Sequence, residues 1–106
     1  MSDWTRACSF DDVPEEGAIR VWLDDEPICI ARSNGDIHAV YDICSHAEVA
    51  LSEGDIEGGT VECWLHGSRF DLKTGQPTGL PATRPVPVYK TNIDNGDVYV
   101  ALEKKT

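Results

Sequence analysis

Cys44-Ser45-His46 and, after the sixteen residues from Ala47 to Glu62, Cys63-Trp64-Leu65-His66-Gly67 are the stretches on which the reading of this chain turns. Each offers one thiol and one imidazole close together. Thiolate is a soft ligand suited to iron–sulfur centres or zinc, and imidazole suits zinc, copper or iron, so ligand type alone leaves the metal open. Spacing narrows the choice. Structural zinc sites commonly pair Cys with Cys and His with His at spacings near C-x2–4-C and H-x3–5-H. Here each loop mixes the two, which favours a centre of two metals.

Outward from these loops, residues 42–85 are rich in Gly, Asp, Glu and Pro and read as a small β-subdomain built to present loops. Gly54–Gly59 and Thr60–Cys63 read as two short strands around a turn, and Ser68–Leu72 as a third, before Lys73-Thr74-Gly75-Gln76 turns the chain. On the N-terminal side, Ile19, Val21 and Leu23 alternate with Arg20 and Trp22, as a half-buried strand requires. Ile28 and Ile30 continue the pattern. Ser33-Asn34-Gly35-Asp36 then supplies a hairpin turn into Ile37–Tyr41. On the C-terminal side, Val86, Val88 and Ile93 lead to Asn95-Gly96, and Val98, Val100 and Leu102 alternate beyond it. The expected fold is all-β: an antiparallel β-sandwich with the small subdomain set between two hairpins. At 106 residues, it is expected to be one domain over positions 1–106.

Nine Lys and Arg against nineteen Asp and Glu give a net charge of −10. Phosphate backbones and anionic membrane surfaces would repel such a chain, so neither nucleic acid nor a bilayer is an expected partner. A basic protein surface is a better one. The start, Met1-Ser2-Asp3-Trp4-Thr5-Arg6, lacks a basic stretch followed by an apolar one, and a cytoplasmic location is the expectation. Disulfide frameworks belong to exported proteins, so the four cysteines read as reduced thiols or metal ligands. Cys44 and Cys63 each precede a His; Cys8 and Cys29 do not. Cys29, within the apolar run Pro27–Ala31, reads as core packing. His38, on a strand outside both loops, reads as an ordinary surface or core histidine.

Cys44-x-His46, sixteen residues, then Cys63-x-x-His66-Gly67 resembles the box pair of Rieske proteins. The likeness extends to Gly79-Leu80-Pro81-Ala82-Thr83-Arg84-Pro85-Val86, which is similar to the proline-bearing third loop that covers the cluster in that family. It spans nearly the whole chain. The resemblance implies one [2Fe–2S] cluster, with Cys44 and Cys63 on one iron, His46 and His66 on the other, and two bridging sulfides. It also places Ser68, Trp64 and Pro81 next to the ligands. Trp64 reads as a hydrophobic lid packed on the first loop, in preference to an exposed docking aromatic.

Formal charges over two ferric ions, two sulfides, two thiolates and two neutral imidazoles sum to 6 − 4 − 2 = 0. An all-thiolate set would give −2, so the mixed set accepts an electron more readily. The general range for such centres is about −150 to +300 mV, against about −400 mV for plant-type ferredoxins. Quinol-oxidising members carry a further Cys in each box, joined as a disulfide; here Val49 and Leu65 stand at those positions. Ser68 keeps a hydroxyl found in high-potential members, while Phe70 replaces their Tyr.

The chain therefore resembles the soluble Rieske ferredoxins that carry electrons from a flavin reductase to the terminal oxygenase of aromatic-ring dioxygenases. A monomeric carrier that is not itself an enzyme is the expectation. Once the cluster takes His46 and His66, only His38 remains, too few for a mononuclear iron site of two His and a carboxylate. No Gly-rich nucleotide fingerprint occurs either. The alternatives are a cluster-bearing accessory subunit or redox sensor, and a structural module resembling the small subunit of some nitrite reductases. Members of the latter group usually lack the ligands this chain retains.

Overall fold

The computed structural model describes residues 4–44, 49–65, 67–78 and 84–102. Nine strands run through it: β1 (Trp4–Ser9), β2 (Gly17–Leu23), β3 (Glu26–Ser33), β4 (Asp36–Tyr41), β5 (Ile56–Glu57), β6 (Thr60–Glu62), β7 (Arg69–Asp71), β8 (Val88–Asp94) and β9 (Asp97–Ala101). All pairings between them are antiparallel. They form a six-stranded sheet, ordered β1-β9-β8-β4-β3-β2, and a three-stranded sheet, β5-β6-β7. Strands β1 and β2, at opposite ends of that order, touch, so the large sheet curls on itself.

The tight turns explain why these strands pair in sequence. Asn34-Gly35 joins Ser33 to Asp36 and Asn95-Gly96 joins Asp94 to Asp97, with every turn residue at positive φ. Two-residue loops of that hand match the twist of the strands they connect, and Asn and Gly tolerate the conformation best. Asp24-Asp25 makes the same turn between β2 and β3 with φ of 50° and 66°, without a glycine.

Strict alternation gives the large sheet two apolar faces. Ile19, Val21 and Leu23 of β2, Ile28 and Ile30 of β3, Ala39 of β4, Tyr89 of β8 and Val98 and Val100 of β9 meet Val13 inside the curl. The opposite face contributes Cys29, Ala31 and Val40, with Ala18 and Val88 partly buried beside them. That second face packs on Leu51, Ile56, Val61, Phe70 and Leu72 of the small subdomain. Cys44 and Cys63 belong to the same buried cluster, so the loops that carry them rise from a core shared by both sheets. This is the antiparallel all-β architecture expected from the sequence.

Strand β1 was not expected. In Trp4-Thr5-Arg6-Ala7-Cys8-Ser9 only Cys8 is buried, and the register slips between Arg6 and Cys8, which blurs a period-two pattern. Its partner β9 is what holds it as a strand, through pairing from Trp4–Ala101 to Ser9–Asp97.

Candidate metal centre

The first loop is closed at its base by pairing. Ile43 forms an antiparallel bridge with Ala50, and the Cys44 N–H donates to the Val49 carbonyl at 3.1 Å. The second loop is closed in the same way: the Cys63 N–H donates to the Ser68 carbonyl at 2.6 Å. Within it, the Gly67 N–H donates back to the Cys63 carbonyl at 2.8 Å. That contact makes a tight α-turn, and φ of +79° at position 67 suits glycine. A third closure follows, where Phe70 bridges Pro77, the Thr78 N–H donates to the Arg69 carbonyl at 2.8 Å and the Val86 N–H to the Gly75 carbonyl at 2.9 Å. The three loops thus spring from paired backbone.

Between the first two loops the backbones lie too close for a side chain. A Cβ on Gly54 would stand 1.7 Å from the Glu62 carbonyl oxygen. The Glu62 N–H donates to the Asp55 carbonyl at 2.9 Å, and the Glu62 carboxylate pairs with Arg69 at 3.3 Å. These contacts lock the strand preceding Cys63. The segment preceding Cys44 is locked by Asp42, which is wholly buried and receives hydrogen bonds from Arg20 and Ser52.

None of the four cysteines is in a disulfide. Cys44 is 4% exposed and Cys63 fully buried, each at the base of its loop. Cys8 and Cys29 are buried as well, but within strands. Burial pushes the Cys29 thiol well above its ordinary range, with Asp42 adding to the effect and Arg20 opposing it. Burial raises the Cys8 thiol too. Both are held as neutral thiols, the form that packs and does not ligate. The apolar-core reading of Cys29 is borne out.

The Rieske [2Fe–2S] domain family matches residues 3–90. The chain belongs to that family. It is 42% identical over 98 residues to the 3-phenylpropionate/cinnamic acid dioxygenase ferredoxin subunit of Escherichia coli K12, covering 91% of each chain. It is 36% identical over 104 residues to the ferredoxin CarAc of Metapseudomonas resinovorans, covering 96% of each. Among solved structures it superposes with a TM-score of 0.90 and 34% identity on a chain from the complex of reduced oxygenase and oxidized ferredoxin in carbazole 1,9a-dioxygenase, covering 100% of this chain and 99% of that one. As a Rieske domain the chain carries one [2Fe–2S] cluster, and like these ferredoxins it is an electron carrier and not itself the catalyst.

The described residues fit that cluster. Two buried thiols outside any disulfide, on loops anchored to one core, supply the soft donors that iron–sulfur chemistry needs. His46, His66 and Pro81 lie outside the described residues. Ser68 is inside them and 1% exposed, at the base of the second loop. Trp64 departs from expectation: it is 51% exposed, and Leu65 beside it is 45% exposed, so the indole is not packed away as a lid. Both residues lie within the tight turn that the Gly67–Cys63 hydrogen bond closes.

His38 is half-buried on β4 between Asp36, Asp71 and Lys73, in the wall of a shallow hollow of about 260 Å³. Among the described residues, no group of three or more His, Cys, Asp and Glu could hold a metal elsewhere. Nor is any helix among them long and apolar enough to cross a membrane. Sequence reading missed Asp42, Arg20 and Ser52, whose connection depends on a contact across 22 positions.

Proposed function

We propose that this chain is a one-electron carrier that takes electrons from a flavin-dependent reductase and delivers them to the terminal oxygenase of an aromatic-ring dioxygenase system. Its cluster is held by Cys44, His46, Cys63 and His66, and it works as a cytoplasmic monomer. The observation that carries this reading is the contrast at the second loop. Cys63 is fully buried, while Trp64 and Leu65 immediately after it are about half exposed. A cluster held there is shielded from water by the core behind it, and an exposed apolar patch lies next to it for a partner to cover.

The relatives support the same reading. One is named as a dioxygenase ferredoxin subunit, another as a ferredoxin, and one solved relative comes from a complex of oxygenase and ferredoxin. The cluster supplies reversible one-electron chemistry. The chain's own contribution is to bury the two thiols, anchor their loops and keep the bound centre close to the surface. The net charge of −10 favours approach to a basic docking face.

The test is reconstitution. The cluster-loaded chain, mixed with a flavin reductase, NADH and a ring-hydroxylating oxygenase, should couple NADH oxidation to product formation, with rates falling as salt rises through 0.15 M, where screening shortens to about 8 Å. A chain that is reduced once but never reoxidised by an oxygenase, and instead changes its binding to another protein, would be a sensor.

A further inference from the structure

Asp42 lies two positions before Cys44, at the root of the first loop, and is 0% exposed. Its Oδ2 accepts hydrogen bonds from Arg20 Nε at 2.6 Å and Ser52 Oγ at 2.7 Å, and its Oδ1 accepts from the Ser52 N–H at 2.6 Å. Its backbone is engaged as well: the N–H donates to the Pro27 carbonyl at 3.0 Å, and the carbonyl accepts from the Leu51 N–H at 3.2 Å. One residue thus ties the outgoing arm of the loop to β2 and β3 on one side and to the returning arm at Leu51-Ser52 on the other.

Folding alone does not call for a charge there. A buried ion pair replaced by well-packed apolar residues is often neutral or stabilising, because desolvation offsets the attraction. Arg20 is an unusual partner, since it cannot lose its proton and is held from both sides. Its guanidinium lies 5.2 Å from the centroid of the Trp22 ring while its Nε reaches Asp42. Only 32% of its side chain is exposed. A fixed negative charge and a fixed positive charge therefore stand together beside the Cys44 loop.

We infer that Asp42 and Arg20, with Ser52, form a positioning and charge-setting device for the Cys44 arm of the cluster site, an inference that rests on Cys44 being a ligand. Asp42 opposes an added electron and Arg20 favours it. Held as a pair, they nearly cancel while their hydrogen bonds keep the loop in register. Partners of this kind, acting through a ligand, commonly change metal retention about 10–100-fold when removed.

The test uses the cluster-loaded protein. Iron and sulfide are first measured in the wild type, so that a wild type lacking a [2Fe–2S] cluster sinks the ligand reading, not this inference. Midpoint potential and the rate of iron release to a chelator are then compared in Asp42→Asn, Arg20→Gln, Arg20→Lys and Ser52→Ala. Asp42→Asn should raise the potential and Arg20→Gln lower it, while Arg20→Lys, which keeps the charge, should return it toward wild type. Iron release should quicken about tenfold or more in Asp42→Asn and also rise in Ser52→Ala. If Asp42→Asn does not fold, the Arg20→Gln and Arg20→Lys pair carries the same sign test. Midpoints equal to wild type in folded variants, or shifts of one sign for both charge removals, would overturn the inference.

Discussion

The N–H of Cys63 donates to the carbonyl of Ser68 at 2.6 Å, which closes the second loop and places Ser68, 1% exposed, at its base. Its hydroxyl is expected to donate to a cluster sulfur when the centre is bound. Such a bond strengthens when an added electron makes the sulfur more basic, so it favours the reduced state. With a differential of about 1.4 kcal/mol, Ser68→Ala should lower the midpoint potential by about 60 mV for one electron. Potentiometric titration of both proteins checks it. Equal midpoints, with clusters intact, would make Ser68 a turn residue only.

Exposure of Trp64 separates docking from redox chemistry. Trp64→Ala should leave cluster content and midpoint potential unchanged and slow electron delivery to the oxygenase by about tenfold, the loss of about 1.4 kcal/mol that an exposed anchor aromatic can supply. Transient kinetics of oxygenase reduction reads it directly. An unchanged rate would remove Trp64 from the docking face.

Two glycines at nearly the same positive φ are predicted to behave differently. At Gly35, φ is +83° and a Cβ would meet nothing within 4 Å, so Gly35→Ala should cost only about 1–2 kcal/mol of backbone strain. At Gly75, φ is +79° and a Cβ would fall 2.1 Å from the Val86 carbonyl oxygen. Gly75→Ala should cost clearly more, and should also loosen the Val86–Gly75 hydrogen bond that closes the third loop. Urea unfolding of the two variants gives the order, and equal losses would contradict it.

Burial lowers the pKa of His38 below its usual value of 6.5, with Lys73 adding to the effect and Asp36 and Asp71 opposing it. The folded state therefore holds a proton there less tightly than the unfolded chain does. This residue's contribution to stability is present above pH about 6.5 and is lost as pH falls through the lower folded value. Relative to His38→Gln, the wild type should lose stability as pH falls below about 6.5. A difference that stays constant as the pH is lowered would contradict the assignment.

How much of this was legible in the sequence depended on how local each signal was. Asn34-Gly35 and Asn95-Gly96 announced their hairpins because the turn needs positive φ at both central residues. The short strands around Gly58-Gly59 and the strand over Arg69–Asp71 could be read for the same reason of adjacency. Asp24-Asp25 makes an equivalent turn without glycine and gave no such signal. Strand β1 owes its existence to distant β9, and its bulge hides the alternation. At the site, the loops were evident from Cys-His spacing, whereas the bond from Arg20 to Asp42 joins positions that nothing in either neighbourhood connects. Trp64 is more exposed than the general packing habit of aromatics suggests, and its neighbours in sequence carry no signal of that exposure.

The ligand set itself is tested most directly by nitrogen hyperfine spectroscopy of the reduced, cluster-loaded protein labelled with 15N in histidine. The chain contains three histidines, so the result is easily assigned. Two imidazole nitrogens should couple strongly to the cluster spin, both should persist in His38→Gln, and one should vanish in each of His46→Cys and His66→Cys that retains a cluster. A reduced cluster with no coupled imidazole, or with a coupling lost in His38→Gln, would contradict ligation by Cys44, His46, Cys63 and His66.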